Sequence, residues 1–215
     1  MERVAPDGSP VDLYLLLPVL GEPDVIASVA KPGVEILELG SGVGRITHAL
    51  VDRGYRVVAV DESAEMLSHV RGAQTACARI EDLDLGRQFP VVLFMSNLVN
   101  TPTEQRRAFL ATCRRHVTDD GVVLIERLEP GWEPTPGVAN ALGELTTRLR
   151  DVRRGGATVA GVVEYESAHA RWEHPFESEL LDDAALAVSL REVGLELSEV
   201  LDEKRRWVVA RVAAA

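Results

Sequence analysis

Positive charge and cysteine are the two things this chain has little of. Asp and Glu number 34 against 23 Lys and Arg, a formal net charge of -11, and Lys31 and Lys204 are the only lysines. A long nucleic acid needs a basic surface to neutralise its phosphates, so the composition points away from RNA or DNA as a partner. The two cysteines, Cys77 and Cys113, lack metal-site spacing and a secretory context, so neither a metal nor a disulfide framework is expected, and both are read as reduced core residues. The longest early apolar stretch, Leu13 to Leu20, is interrupted by Pro18 and is too short to span a bilayer. The charged start also lacks a small-residue cleavage site, so no signal peptide, no membrane and a cytoplasmic location are expected.

Repeats and low-complexity segments are missing too. What remains is a globular composition, 46% hydrophobic and 27% charged over 215 residues, enough for one domain with a real core. Strand and helix patterns alternate. Strands are expected at Val34–Leu39, Tyr55–Val60, Cys77–Ile80, Pro90–Met95 and Gly121–Glu126, with helices at Arg45–Arg53, Ser63–Val70 and Thr103–His116. Short connections in that order imply a parallel, doubly wound sheet with helices on both faces. The second half departs from the rhythm. After the Pro/Gly loop 129–137, Leu142, Leu145, Leu149 and Val152 recur at helical spacing and predict a helix, and 158–166 with 169–176 predict an antiparallel hairpin. A helix from about Asp182 to Val193 follows. The last two strands, "LELSEVL" and "RWVVARV", are joined so closely that they must pair antiparallel, which reverses the last strand. The fold class is therefore α/β, Rossmann-like, with seven strands and an inserted hairpin.

Residues 36–47, "ILELGSGVGRIT", run from a strand through Gly40, Gly42 and Gly44 into a helix. Backbone without side chains at a helix start lets a ligand approach unsatisfied N–H groups, although an ordinary strand-to-helix turn has the same look. Two ligands are disfavoured at once. The dinucleotide fingerprint requires a glycine where Arg45 stands, and no Gly-Lys-Ser or Gly-Lys-Thr follows for a nucleoside triphosphate. Asp61, in "VVAVDESAEML", ends the second strand where open α/β sheets bind ligands. A carboxylate there accepts from a diol, and it can cap the next helix as well.

"ELGSGVG" at 38–44 followed by "VVAVDESAEML" resembles the first two motifs of the class I S-adenosylmethionine (SAM)-dependent methyltransferases. The resemblance covers roughly residues 33–127 and 178–212. It implies SAM as cofactor and S-adenosylhomocysteine as product, with Gly40, Ser41 and Gly42 under the methionine part, Asp61 on the ribose hydroxyls, and Glu38 and Glu62 also among the cofactor-binding residues. Met66 corresponds to the apolar residue near the adenine, or to core. In "ARIEDLDL" the family's Gly-Asp-Ala is replaced by Ala78, Arg79 and Ile80, so the adenine role passes to the Ile80 N–H and Glu81, with Asp82 second and a solvated acidic turn as the alternative. Ser96 and Asn97, after the fourth strand, fall between sulfur and acceptor. Asn100 is read with the substrate or as a loop cap. The Asn-Pro-Pro-Tyr signature of adenine or glutamine methylation is absent.

Methyl transfer from a sulfonium needs alignment more than covalent help, and a general base only when the acceptor must lose a proton. His48, His69 and His116 fall on scaffold helices. His174 and His169 lie on the predicted hairpin beside Tyr165 and Trp172, where relatives build substrate pockets, and are the candidates for a base; the same strand face could instead pack a dimer or serve as a lid. Trp132 is placed at the acceptor pocket. The segment 11–20 is read as part of an N-terminal helical lid (1–32) that brings Tyr14 to the cofactor, with core packing as the alternative, and 129–177 as an inserted substrate or oligomer region of a single domain. The expected activity is methylation of an oxygen or nitrogen of a small molecule. Two alternatives stay open: a SAM-using enzyme of the same fold with cyclising or decarboxylating chemistry, and a non-catalytic SAM-binding subunit.

Overall fold

The computed structural model describes residues 3–214. Two short helices, α1 (Val11–Tyr14) and α2 (Glu22–Val29), precede the first strand. Pro18, which cannot continue a helix, separates them, so the segment expected as one helix over 11–20 is an α-turn followed by extended chain. Then come β1 (Glu35–Leu39), α3 (Arg45–Asp52), β2 (Arg56–Asp61), α4 (Ala64–Leu67), β3 (Gln74–Cys77), β4 (Phe89–Phe94), a 3-10 turn at Leu98–Asn100, α5 (Thr103–His116) and β5 (Val117–Glu126). After an excursion, α6 (Asp183–Arg191) leads to β10 (Leu195–Val200) and β11 (Trp207–Val212).

The seven-stranded sheet has the order β10-β11-β5-β4-β1-β2-β3, with β11 antiparallel to both neighbours. The reversed last strand is therefore interior. Ile36–Leu37 of β1, Val91–Phe94 of β4 and Val122–Ile125 of β5 are apolar and buried because both faces are covered there. Ile26, Ile46 and Leu50 of α2 and α3 pack on one face with Ile36, Leu93 and Leu124. Phe109, Leu110 and Cys113 of α5 and Leu186 and Leu190 of α6 pack on the other with Leu37, Phe94 and Ile125. A fully buried Leu or Phe of this kind contributes about 1.5–3 kcal/mol, so the two layers hold the carboxyl ends of the strands rigidly in place.

Three expectations about local structure are corrected. The third strand ends at Cys77 rather than beginning there; Ala78 and Ile80 follow it as a loop packed against the core. Cys77, on that edge strand, is exposed, and only Cys113 is a core thiol. The helix expected through Leu142–Val152 is two strands, β6 (Asn140–Leu142) and β7 (Leu145–Gly155), joined at Gly143, whose φ of 61° suits a tight turn. Leu145 and Leu149 are four apart, a spacing that one strand face satisfies as well as a helix stripe does. Val152 breaks the alternation, and a bulge between Arg150 and Arg153, with Asp151 at φ 52°, absorbs it. With β8 (Thr158–Glu166) and β9 (Arg171–Glu179) these strands make a second, antiparallel four-stranded sheet inserted between β5 and α6. Its outer face carries cross-strand ion pairs, Arg150 with Glu164 and Glu173, and Glu166 with Arg148 and Arg171. Its inner face is apolar and aromatic.

Candidate active site

The chain leaves β1 through three left-handed residues, Gly40 (φ 70°), Gly42 (φ 55°) and Gly44 (φ 85°), and enters α3 at Arg45. A methyl group on Gly40 would stand 2.9 Å from Leu98 Cδ1, so a side chain fits neither the conformation nor the space there. Asp61, at the carboxyl end of β2, pins this loop: Oδ2 accepts from the Gly42 N–H at 2.8 Å and Oδ1 from the Ser63 N–H at 2.9 Å. Burial pushes the Asp61 carboxyl up from its ordinary range, and the two N–H groups oppose the shift. Each oxygen keeps a lone pair for a further donor. The Ser41 hydroxyl is buried without a partner beside the cavity, an orphan that asks for a ligand.

A cavity of about 570 Å³ opens outside the carboxyl ends of β1, β4 and β5. One end is charged. Glu38 is buried, accepts from Thr47 Oγ1 at 2.6 Å, and is pushed by burial up to about 7. Arg45 donates to the Pro18 carbonyl at 2.9 Å and pairs with buried Glu22, tying the N-terminal segment to α3. Glu126, the last residue of β5, accepts from the Ser96 N–H at 2.9 Å, and burial raises its carboxyl. Ser96 and Asn97 follow β4 with φ of 54° and 60°, two successive left-handed residues without the licence of glycine. The other end is walled by the inserted sheet: Leu149, Val163, Tyr165, His174 and Phe176, with Trp132 stacked obliquely on Phe176 at 6.2 Å between ring centres. Tyr14 borders both ends. Burial raises its hydroxyl, and it also lifts that of Tyr165 to about 12.

Of the residues picked out in the sequence, Tyr14, Glu38, Gly40, Ser41, Gly42, Ser96, Asn97, Trp132, Tyr165 and His174 line this one cavity. Asp61, Glu62, Ile80, Glu81 and Asp82 lie past it, at the ends of β2 and β3. Glu81 pairs with Arg79, and the Ile80 carbonyl accepts from Thr112 Oγ1 at 2.8 Å. Met66 is buried against Val11 and Val43, beneath the loop rather than in the cavity.

Three residues are placed elsewhere. Asn100 is 1% exposed and fully bonded: Oδ1 accepts from Leu128 N at 2.8 Å and Nδ2 donates to the Glu179 carbonyl at 2.7 Å, so it ties the two ends of the insert together. Trp172 packs beneath Leu13 and Leu145, joining the N-terminal segment to the insert. His169 sits exposed in the turn between β8 and β9, away from the cavity. Glu22, Arg45, Glu126 and Phe176 were not picked out. For Glu126 the signal was present, because it ends a buried strand at the same sheet edge as Asp61. Among the described residues, no group of three or more His, Cys, Asp or Glu side chains could hold a metal, and no helix is long and apolar enough to cross a membrane.

The sheet order, with its reversed interior strand, is the fold of the class I, S-adenosylmethionine-dependent methyltransferases. A family model described as "Methyltransferase domain" matches residues 36–121, the part that carries the glycine loop, Asp61 and β4. The structure is similar to the CcbJ methyltransferase from Streptomyces caelestis, with a TM-score of 0.74 and 20% identity over 92% of this chain and 91% of that one. It is also similar to an S-adenosylmethionine-dependent methyltransferase from Clostridium acetobutylicum (TM-score 0.69, 15% identity, 95% and 91% covered). A third similar structure is the sugar N-methyltransferase KedS8 from a Streptoalloteichus species (TM-score 0.68, 18% identity, 89% and 85% covered). In sequence, the chain is 37% identical over 76 residues to the ribosomal RNA small subunit methyltransferase A of Anaeromyxobacter species, a match to 31% of this chain and 27% of that protein's length.

Proposed function

We propose that the protein transfers a methyl group from SAM to an oxygen or nitrogen of a small molecule. The observation that carries this reading is the glycine loop held by Asp61 at one end of a cavity whose other wall is the inserted sheet. SAM, when bound, supplies an electrophilic methyl carbon on a sulfonium. Gly40 to Gly42 give backbone approach beneath its amino-acid part, the orphan Ser41 hydroxyl finds a partner there, and Glu38 meets the ammonium. Asp61 uses its remaining lone pairs on the ribose hydroxyls, and Glu62, Met66, Ile80, Glu81 and Asp82 border the adenine. Ser96 and Asn97, fixed in a strained turn, set the angle between donor and acceptor. The N-terminal segment through Tyr14 closes the cavity as a lid, and His174 meets the acceptor from the insert.

A small acceptor is supported by the cavity's size, which is that of a small-molecule site, and by the chain's net charge of -11. Calorimetric titration with SAM and S-adenosylhomocysteine tests the reading directly. Asp61→Ala removes a charged acceptor from two hydroxyls and should weaken both ligands by about 100-fold or more, since hydrogen bonds to charged groups contribute about 1.5–3 kcal/mol each. Wild-type protein that gives no heat with either ligand would sink the proposal.

A further inference from the structure

The charged end of the cavity holds more negative charge than the donor accounts for. Of its three carboxylates, Glu22 is paired with Arg45. Glu38 and Glu126 have no ion pair among the described residues; Thr47 and the Ser96 N–H are their respective partners. When both are ionised, two unpaired carboxylates in one cavity call for two positive charges. The donor brings an ammonium, a sulfonium and a carboxylate, a net charge of +1, and so offsets only one of them, its ammonium meeting Glu38.

Glu126 stands where the second would be. Leu39, Phe94 and Ile125 are paired across β1, β4 and β5, so Gly40, Met95 and Glu126 form the next row at the sheet edge. Two strand spacings put the Glu126 backbone about 10 Å from Gly40, beyond β4 and the turn at Ser96. The wall beyond it is aromatic, Trp132, Tyr165 and Phe176, and aromatic faces attract cations. An anionic acceptor would meet two like charges there.

We propose that Glu126 is the acceptor-binding carboxylate and that the acceptor is a primary or secondary amine, bound as its ammonium between Glu126 and the aromatic wall. The proposal rests on the methyl-transfer reading. The ammonium gives one N–H proton to Glu126, leaving nitrogen with a lone pair. That pair forms the N–C bond to the methyl carbon while the C–S bond breaks and its electrons go to sulfur. The products are the methylated ammonium and S-adenosylhomocysteine, and Glu126 returns its proton to water. Burial already lifts this carboxyl towards proton uptake; Glu22 pushes it the same way, while Arg45 and Arg206 oppose.

Glu126→Gln separates charge from scaffold, because the amide oxygen can still accept the Ser96 N–H. Phenethylamine and cyclohexylamine, with phenethyl alcohol and cyclohexanol as neutral matches, serve as probes on the full chain. Calorimetry on wild-type protein saturated with S-adenosylhomocysteine should show heat with the amines and none with the alcohols, and only the amines should stimulate S-adenosylhomocysteine formation from SAM. In Glu126→Gln, SAM affinity should stay within about twofold while amine binding and turnover fall about 100-fold. Alcohols acting as well as amines, no amine binding at all, or a variant that loses SAM but keeps the amine would each overturn the proposal. Wild-type protein that fails to bind SAM in the first titration overturns the methyl-transfer reading itself, and this proposal with it.

Discussion

Glu38 shows how a single buried carboxyl can report on a ligand. Its value of about 7, above the ordinary 4.5, means that the folded chain holds this proton more tightly than the unfolded chain does. The stability it contributes is complete below the ordinary value and is lost as pH rises through about 7. An ammonium placed beside Glu38 favours the ionised form, so SAM binding should release a proton between those limits. Affinity should then climb with pH and level off above about 7. Calorimetry at about pH 6 in two buffers of different ionisation enthalpy reads the released proton directly, and Glu38→Gln should abolish the difference. Such residues were legible in the sequence where a motif named them, as for Glu38 and Asp61. Arg45 was read only for the glycine it replaces, since nothing in the local sequence says that it reaches Glu22, 23 residues away. Asn100 was read by its loop position, which does not reveal that both of its polar atoms are already bonded to backbone.

Among the elements, the parallel core was legible because two-sided burial writes a strand as a continuous apolar run and each helix as a stripe; α5 spans the predicted Thr103–His116. The insert was legible only in part. β8 and β9 were marked by β-branched and aromatic residues, but the even spacing of Leu145 and Leu149 is common to helix and strand, and pairing with β8 decides between them. Asn100 is one joint between insert and core, alongside the pair of buried Arg106 with Glu179. Asn100→Ala removes the side-chain partner of the part-buried Leu128 N–H and Glu179 carbonyl and should cost about 1–3 kcal/mol in urea unfolding. Asn100→Asp keeps the acceptor for Leu128 but turns an ionised oxygen on the Glu179 carbonyl, so its cost should fall at acid pH, where the carboxyl is protonated and can donate. An Ala variant as stable as the wild type would show that the two ends of the insert are held by other contacts.

At the scale of the whole molecule, the glycine loop and the aromatic wall of the cavity come from different sheets, with the N-terminal segment packed on both, through Tyr14 on the one and Leu13 against Trp172 on the other. A ligand that bridges them should stabilise the folded chain as a unit. Saturation with S-adenosylhomocysteine at about 100 times its dissociation constant should add about 2.7 kcal/mol and raise the melting temperature. The same addition to Asp61→Ala, with an affinity about 100-fold lower, should add only about 0.4 kcal/mol. A rise confined to one of two transitions would instead mean that the sheets melt separately.

The bond pair at Asn100 has a consequence for how such a molecule can change. Because the chain departs from the core at Leu128 and returns at Glu179 through one shared side chain, everything between is a cassette with a common socket. Its sequence can drift, lengthen or be exchanged by recombination with little effect on the seven-stranded sheet, provided the contacts of Trp172 and Tyr165 with the N-terminal segment are kept. A lineage carrying this socket could acquire new acceptors while inheriting its cofactor unchanged.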